Sequence, residues 1–295
     1  MIVVRLMGGH SNQLFQYAIG KNLSKKLGTN LMLDLSWFKD FADVDTPRFY
    51  EIGCYPLEAT VCEDLSRLRI VDPRQPIRVT NRLLRKMHLG SAIWMYYEQG
   101  QGYNPEALEQ PDNTMLIGYW QTEKYFKDIR NELIAELEPT SKLSDKNLAI
   151  MSKIKNSESV SIHVRRGDYI TNKNANTFHG SLGADYYQKA QEYIQKKIGI
   201  KNIQVFVFSN DIPWCKKNLK FDVPVTFVEG NDKGSDDMRL MKNCKHFVMA
   251  NSSFSWWGSW LCTNPNKIVV APKVWFKDKT ANDAIDIMLN SWVRL

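Results

Sequence analysis

Short apolar runs and longer amphipathic stretches take turns along the second half of this chain. The runs at 159–164, 203–208, 224–228, 246–250 and 267–271 are brief and rich in Val, Ile and Phe, which predicts buried strands. Between them, 184–198, 212–218, 235–243 and 253–262 place apolar residues at helical spacing. Alternation of this kind predicts a parallel sheet with helices on both faces. The first half opens in the same way. A strand at 2–6 leads into Gly8-Gly9, a helix at 12–27 and a strand at 30–35, a Rossmann-like start. The third glycine of a GxGxxG dinucleotide loop is absent. Residues 40–115 are irregular, rich in Pro and aromatics, and helices shaping a cleft are expected there. A strand at 114–118 returns to the sheet, a helix near 123–136 follows, and Pro139-Thr140-Ser141 stops it. The domain boundary is expected within 140–157, dividing 1–150 from 151–295. A last helix near 280–291 is a candidate to cross back to the first domain.

Composition narrows the class. The chain has 295 residues, enough for two α/β domains. With 43% hydrophobic, 24% charged and 12% aromatic residues and no low-complexity tract, it reads as globular. Nine Trp and twelve Tyr suit sugar-binding clefts, although most are expected in the core. The net charge of +7 is compatible with nucleic acid, anionic lipid or a small acidic ligand. The charges are dispersed apart from a basic stretch at 67–86, and no aromatic–basic RNA-binding signature occurs, so no nucleic-acid partner is expected. The turn Arg82-Leu83-Leu84-Arg85-Lys86-Met87 allows at most peripheral contact with an anionic membrane face, a solvated helix face being favoured. No run of 18 apolar residues is present, and the opening run is too short for a signal peptide. Five cysteines, odd in number and without metal spacing, read as reduced thiols of a cytosolic protein.

The candidate chemistry sits where predicted strands end. The strand at 159–164 runs into His163-Val164-Arg165-Arg166-Gly167-Asp168-Tyr169. Two guanidiniums released into a loop match phosphate oxygens through their planar forks, and an Arg–Asp bridge that rigidifies the loop is the plainer alternative. Alternation along extended chain turns Arg166 away from Arg165, towards a pairing such as Asp168. His163 is a candidate to hydrogen-bond a nucleotide or, equally, a satisfied core histidine. A second strand, 246–250, runs into Asn251-Ser252-Ser253-Phe254 and an aromatic helix. Backbone N–H groups and Ser hydroxyls at a helix start make a second anion site. Two such strand ends in one half favour a diphosphate ligand. Ser209 and Asp211 lie at a third strand end, and Asp236-Asp237 opens a helix, where capping is the plainer reading. An acidic pair alone is weak evidence for a metal, and none is expected. Gly8, Gly9, Asn12 and Gln13 form a polar loop that could touch donor or acceptor or simply cap a Rossmann turn.

These blocks carry a resemblance. The chain is similar to the bacterial α-1,2-fucosyltransferases, inverting enzymes that use GDP-L-fucose. The matching stretches are Gly8-Gly9 with Asn12 to Ala18, Leu33-Asp34 with Trp37-Phe38, and Gly118-Tyr119-Trp120-Gln121 with Lys124-Tyr125-Phe126. They continue with His163 to Tyr169, Phe208-Ser209-Asn210-Asp211, Asp237 to Met241 and Ala250 to Leu261. His10-Ser11 replaces a hydrophobic residue and a Gly of that family, and Asn210 stands where Asp is common. The resemblance implies a GT-B architecture, two Rossmann-like domains facing a cleft. It implies Arg165 as the group that stabilises charge on the departing β-phosphate. Asp168, in the same motif, is grouped with Arg165 as a catalytic candidate, the alternative being that it only holds the arginines. The resemblance also implies an acidic residue near Asp237 on the guanine N1 and N2 donors. Donor contacts are expected from His163, Arg166, Ser209, Asp211, Asp237, Ser252, Ser253 and Phe254. The acceptor implied is a β-galactoside in an oligosaccharide, lipid-linked or on a surface-polysaccharide precursor, met on the cytoplasmic side. No metal or other cofactor is expected. Asp34, Glu51 and Glu98 are candidate bases, beside a water relay with no base. A transferase using another nucleotide sugar and a catalytically silent glycan-binding protein are the alternatives.

Overall fold

The structure, a computed structural model, describes residues 1–40, 47–75, 92–167, 180–199 and 202–295. The chain divides into two units, Met1–Glu138 and Pro139–Leu295.

The first unit is built on one parallel sheet. β1 (Ile2–Arg5) leads through α1 (His10–Leu27) to β2 (Leu31–Asp34). Ile2, Val3 and Val4 are completely buried, as expected for a strand covered on both faces. After the short α2 (Ser36–Asp40) come β3 (Thr60–Cys62), β4 (Ile70–Val71), β5 (Ile93–Tyr97) and β6 (Thr114–Ile117). The sheet order is β3-β2-β1-β6-β5-β4, every pair parallel. The region 40–115 thus departs from expectation. Among its described residues, strands complete the sheet, and the helical pieces beyond α2 are 3-10 turns at Ile52–Cys54 and Pro105–Glu109. The basic turn at 82–87 lies outside the described residues. The helix expected at 123–136 is broken into two 3-10 turns and α3 (Arg130–Glu136), because Phe126 leaves helical geometry at φ −152°.

The second unit begins with α4 (Asp145–Lys155) and β7 (Glu158–Val164). α5 (Ala184–Ile198), β8 (Ile203–Ser209), α6 (Ile212–Asn218) and β9 (Val225–Phe227) follow. Then come α7 (Gly234–Met241), β10 (His246–Val248), α8 (Ser253–Leu261) and β11 (Val269–Ala271). α9 (Lys279–Ala284) and β12 (Val293–Arg294) end the chain. The order is β12-β11-β10-β7-β8-β9, again all parallel. The division falls before α4, not within 140–157. Asn147 of α4 donates to Asn231 Oδ1 at 2.8 Å, and the buried Arg239 of α7 donates to the Pro139 and Ser141 carbonyls, so 139–155 is fastened to the second unit.

Alternate residues of β7 serve opposite faces. Val160, Ile162 and Val164 pack with Tyr187, Ala190 and Ile194 of α5 and with Cys215 of α6. Ser159, Ser161 and His163 take the other face. The chain's end also differs from expectation. α9 stops at Ile285, whose backbone is extended, and β12 joins β11 in the second sheet. The pull comes from the aromatic core of α8. Trp256 Nε1 donates to the Ile287 carbonyl at 2.7 Å, and its ring meets Trp292 edge-on at 5.9 Å.

Candidate active site

The second sheet reverses direction between β7 and β10. From β7 the chain winds outward to β8 and β9; it then returns to β10 and winds the other way to β11 and β12. Right-handed crossovers place the helices of the two halves on opposite faces, so the loops after β7 and β10 part and leave a crevice. Residues 165–167 line one side and 249–252 the other. The rings of His163 and Phe254 stand 5.3 Å apart across it. A Cβ on Gly234 would lie 3.4 Å from the Phe254 ring, so the start of α7 reaches the same point. Three segments distant in sequence (163–167, 234–237 and 250–254) converge here.

His163 is buried, and its Nδ1 has no hydrogen-bond partner among the described residues. Burial, helped by the Arg165 charge, pushes its pKa down to about 3, which keeps the imidazole neutral at ordinary pH. Arg165 follows two residues later on the same side of the chain and is half-exposed. Opposite it, the Ser252 hydroxyl caps α8 by accepting from Phe254 N at 3.3 Å. The Ser255 hydroxyl donates to the Ala250 carbonyl at 3.2 Å, and Asn251 Nδ2 to the Trp275 carbonyl at 3.1 Å. The turn is therefore held from both sides, with Ser253 and Phe254 half-buried at the helix start. The positive end of the helix dipole at such a start favours an anion. On α7, Asp237 accepts from Asn231 Nδ2 at 2.7 Å. Burial above all, with Asp236 adding to it, raises its carboxyl to about 6 against the Asn231 bond and Lys146.

The profile of glycosyl transferase family 11 matches residues 57–295. The chain belongs to this family. It is 36% identical to the O-antigen biosynthesis glycosyltransferase WbnK of Escherichia coli, over 98% of this chain and 99% of that protein. It is 34% identical to an alpha-1,2-colitosyltransferase of Escherichia coli, over 100% of this chain and 99% of the relative. Among solved structures, the NodZ alpha-1,6-fucosyltransferase co-crystallized with GDP superposes with a TM-score of 0.51 at 15% identity, covering 91% of this chain and 94% of that one. That likeness is one of fold: two Rossmann-like α/β domains of the GT-B kind.

In this family 11 glycosyltransferase, Arg166, Ser209 and Asp211 form a cluster of their own beside the loop after β7. Arg166 points to the flank with β8. Its Nε lies 3.6 Å from Asp211 Oδ2 and its guanidinium carbon 3.9 Å from the Trp214 ring centre. Asp211 also caps α6, accepting from Trp214 N at 3.1 Å, and Ser209 Oγ accepts from Asp211 N at 2.9 Å. Arg166, Ser209 and Asp211 thus brace the loop from the side away from β10. Asn210 belongs to the same brace. Its Oδ1 accepts from Arg166 N at 3.0 Å, and its amide lies so close to Gly167 that any side chain there would collide with it. Asp168 lies outside the described residues. Trp214 was not anticipated; its signal is its place three residues after a capping Asp.

In the glycosyltransferase's first unit, β1 and β6, the first and last strands of the sheet, lie side by side at its centre. Gly8 carries φ +69°, so the left-handed residue of this loop precedes His10-Ser11, and that departure leaves the turn intact. Gln13 is fully buried. Its Nε2 donates to the Gly8 and Phe49 carbonyls at 2.9 and 2.7 Å, and its Oε1 accepts from Glu51 N at 2.9 Å. Gln13 is therefore a brace for the loop. Asn12 Oδ1 accepts from Gln121 Nε2 at 2.9 Å, tying the loop after β1 to that after β6. His10 Nε2 meets the Tyr55 hydroxyl at 2.9 Å, and burial lowers its pKa to about 4. Of the candidate bases, Asp34 is buried and accepts from Arg5 Nε at 2.8 Å and Ser36 N at 2.9 Å. Glu98 accepts the Tyr119 and Trp120 N–H groups at 2.7 and 2.9 Å, which holds Trp120 at φ +57°. Glu51 is exposed and accepts from His10 N at 3.1 Å. No three His, Cys, Asp or Glu side chains gather as a metal site among the described residues. No described helix is long and apolar enough to cross a membrane.

Proposed function

We propose that this chain transfers L-fucose from GDP-β-L-fucose, with inversion, to the 2-hydroxyl of a terminal β-galactoside in an oligosaccharide. The observation that carries the reading is the convergence of His163 and Arg165 with Ser252, Ser253 and Phe254 at the reversal point of the second sheet. The diphosphate sits between the Arg165 guanidinium and the start of α8. As the bond from the anomeric carbon to the β-phosphate oxygen breaks, charge grows on that phosphate, and a guanidinium fixed there favours the transition state over the ground state. Arg165 supplies the countercharge, so transfer needs no metal. Neutral His163 offers a ring nitrogen to the nucleotide, and Asp237 accepts from the guanine N1 and N2 donors. The first unit holds the acceptor.

A second donor has a specific observation behind it, the 34% identity to an alpha-1,2-colitosyltransferase. Colitose is fucose without its 3-hydroxyl. A site built to bond that hydroxyl rejects the deoxy sugar by roughly 10⁴–10⁵. Calorimetric titration of the full chain with GDP-fucose, GDP-colitose and UDP-galactose separates the readings. Binding of GDP-fucose well above the other two is expected; preference for GDP-colitose reassigns the donor, and preference for the uridine nucleotide removes Asp237 as the guanine reader.

A further inference from the structure

The first unit leaves two aromatic rings uncovered on braced backbone. Phe49 is 67% exposed and Tyr119 is 44% exposed, while the other aromatics among the described residues are buried or half-buried. Neither stands on loose chain. Gln13 grips the backbone immediately after Phe49, through the Phe49 carbonyl and Glu51 N. Glu98 holds Tyr119 by its N–H. β1 and β6 are neighbours, so the loops that follow them emerge side by side at the carboxyl edge of the sheet. Gln16 ties these loops together, accepting from Met7 N at 2.9 Å and donating to the Gly118 carbonyl at 3.1 Å. A Cβ on Gly9 would lie 3.4 Å from Arg48 Nη1 and 3.9 Å from Glu51 Oε1. The Arg48 charge is felt at the Tyr119 hydroxyl. One edge thus gathers two open aromatic faces, a guanidinium and a carboxylate.

We propose that Phe49 and Tyr119, flanked by Arg48 and Glu51, form the platform on which the acceptor's terminal galactose rests. The proposal deepens the β-galactoside reading above and rests on it. The axial 4-hydroxyl of galactose leaves the C–H groups of carbons 3, 4 and 5 together on one face of the ring. That apolar patch packs on an aromatic face, while hydroxyls at the ring's rim reach charged groups beside it. Exposed rings on rigid backbone bind with little ordering to be imposed at the moment of association.

Saturation-transfer NMR of lactose with the full chain tests this. Saturation strongest on galactose H3, H4 and H5 is expected, and Phe49→Ala and Tyr119→Ala are each expected to weaken lactose binding about tenfold, the loss of one ring face. Phe49→Trp should retain it, which a role in folding alone does not predict for so exposed a ring. Lactose left unsaturated by the wild-type chain, or saturated equally in both Ala variants, overturns the platform. GDP-fucose titration of the same samples separates the two readings. Lactose binding that needs Phe49 in a chain that ignores GDP-fucose supports the platform and removes the donor assignment. GDP-fucose binding without lactose binding leaves the donor assignment standing and overturns the platform.

Discussion

At the scale of single residues, the account turns on which arginine faces the ligand. The extended alternation of the chain already separates Arg165 from Arg166. It does not name the partner of Arg166, because Asp211 and Trp214 come to it only through β7–β8 pairing. Arg165→Ala is expected to lower transfer 10²–10³-fold, about 3–4 kcal/mol of lost transition-state stabilisation, with the fold intact. Arg165→Lys should restore little, since a point charge does not reproduce the planar fork. Steady-state kinetics on folded variants check this, and near wild-type turnover of Arg165→Ala contradicts it. His10 gives a prediction of a different kind. Its pKa falls from 6.5 to about 4 on burial, so between these values the unfolded chain binds a proton that the folded chain refuses. Stability present above pH 6.5 is lost as pH falls towards 4, by about 1.4 kcal/mol per unit. His163 acts in the same sense, down to about 3. Asp237, raised from 3.8 to about 6, acts in the opposite sense, since there the folded chain keeps the extra proton. His10→Gln should flatten the pH dependence of urea unfolding by about 1.4 kcal/mol per unit in this window; parallel wild-type and variant profiles contradict it.

At the scale of elements, the second half was legible almost strand by strand. Its central strands are buried on both faces, and its helices start at capping residues such as Ser252 and Asp211, so period and punctuation agree. The first half was less so. β3 and β4 run for three and two residues, too few to show a period, and β3 is largely exposed. β5, Ile93 to Tyr97, carries a readable β-branched and aromatic run, but its Pro-rich surroundings drew the segment towards an irregular reading. The end of the chain misled because its apolar residues from 284 to 292 fit a helix, whereas the pull of Trp256 on Ile287 and Trp292 outweighs that pattern. The β7–β8 loop pair offers an element-scale test. Gly167→Ala drives a methyl group into Asn210 and displaces the loop that presents Arg165. A cost of about 1–3 kcal/mol in stability is expected, with a larger loss of transfer. Gly167→Ala with Asn210→Gly makes room again and should recover much of both, a coupling that thermal melts and kinetics on the double-mutant cycle would register. Additive losses would show that the two residues do not constrain each other.

At the scale of the whole molecule, the chain is two parallel α/β units, the second reversing direction between β7 and β10 and the first bringing its opening and closing strands, β1 and β6, together at the sheet's centre. The division of the units at Glu138 and the convergence of segments near 163, 234 and 252 follow from strand order, which no local pattern displays. What the sequence did carry was the chemistry of the loops: guanidiniums and capping serines in the second unit, a braced glycine turn in the first. A net charge of +7 suits an anionic donor without choosing one. The central claim is inverting, metal-independent fucosyl transfer from the second unit's crevice. NMR of the product formed by the purified full chain from GDP-fucose and a panel of β-galactosides, with EDTA present, tests it most directly. The account predicts one new anomeric proton with the small coupling of an α-fucoside, correlated to galactose C2, and one GDP released per product. A β-fucoside, linkage to another hydroxyl, consumption of a different nucleotide sugar in place of GDP-fucose, or activity that returns only when Mg²⁺ or Mn²⁺ is added would contradict it.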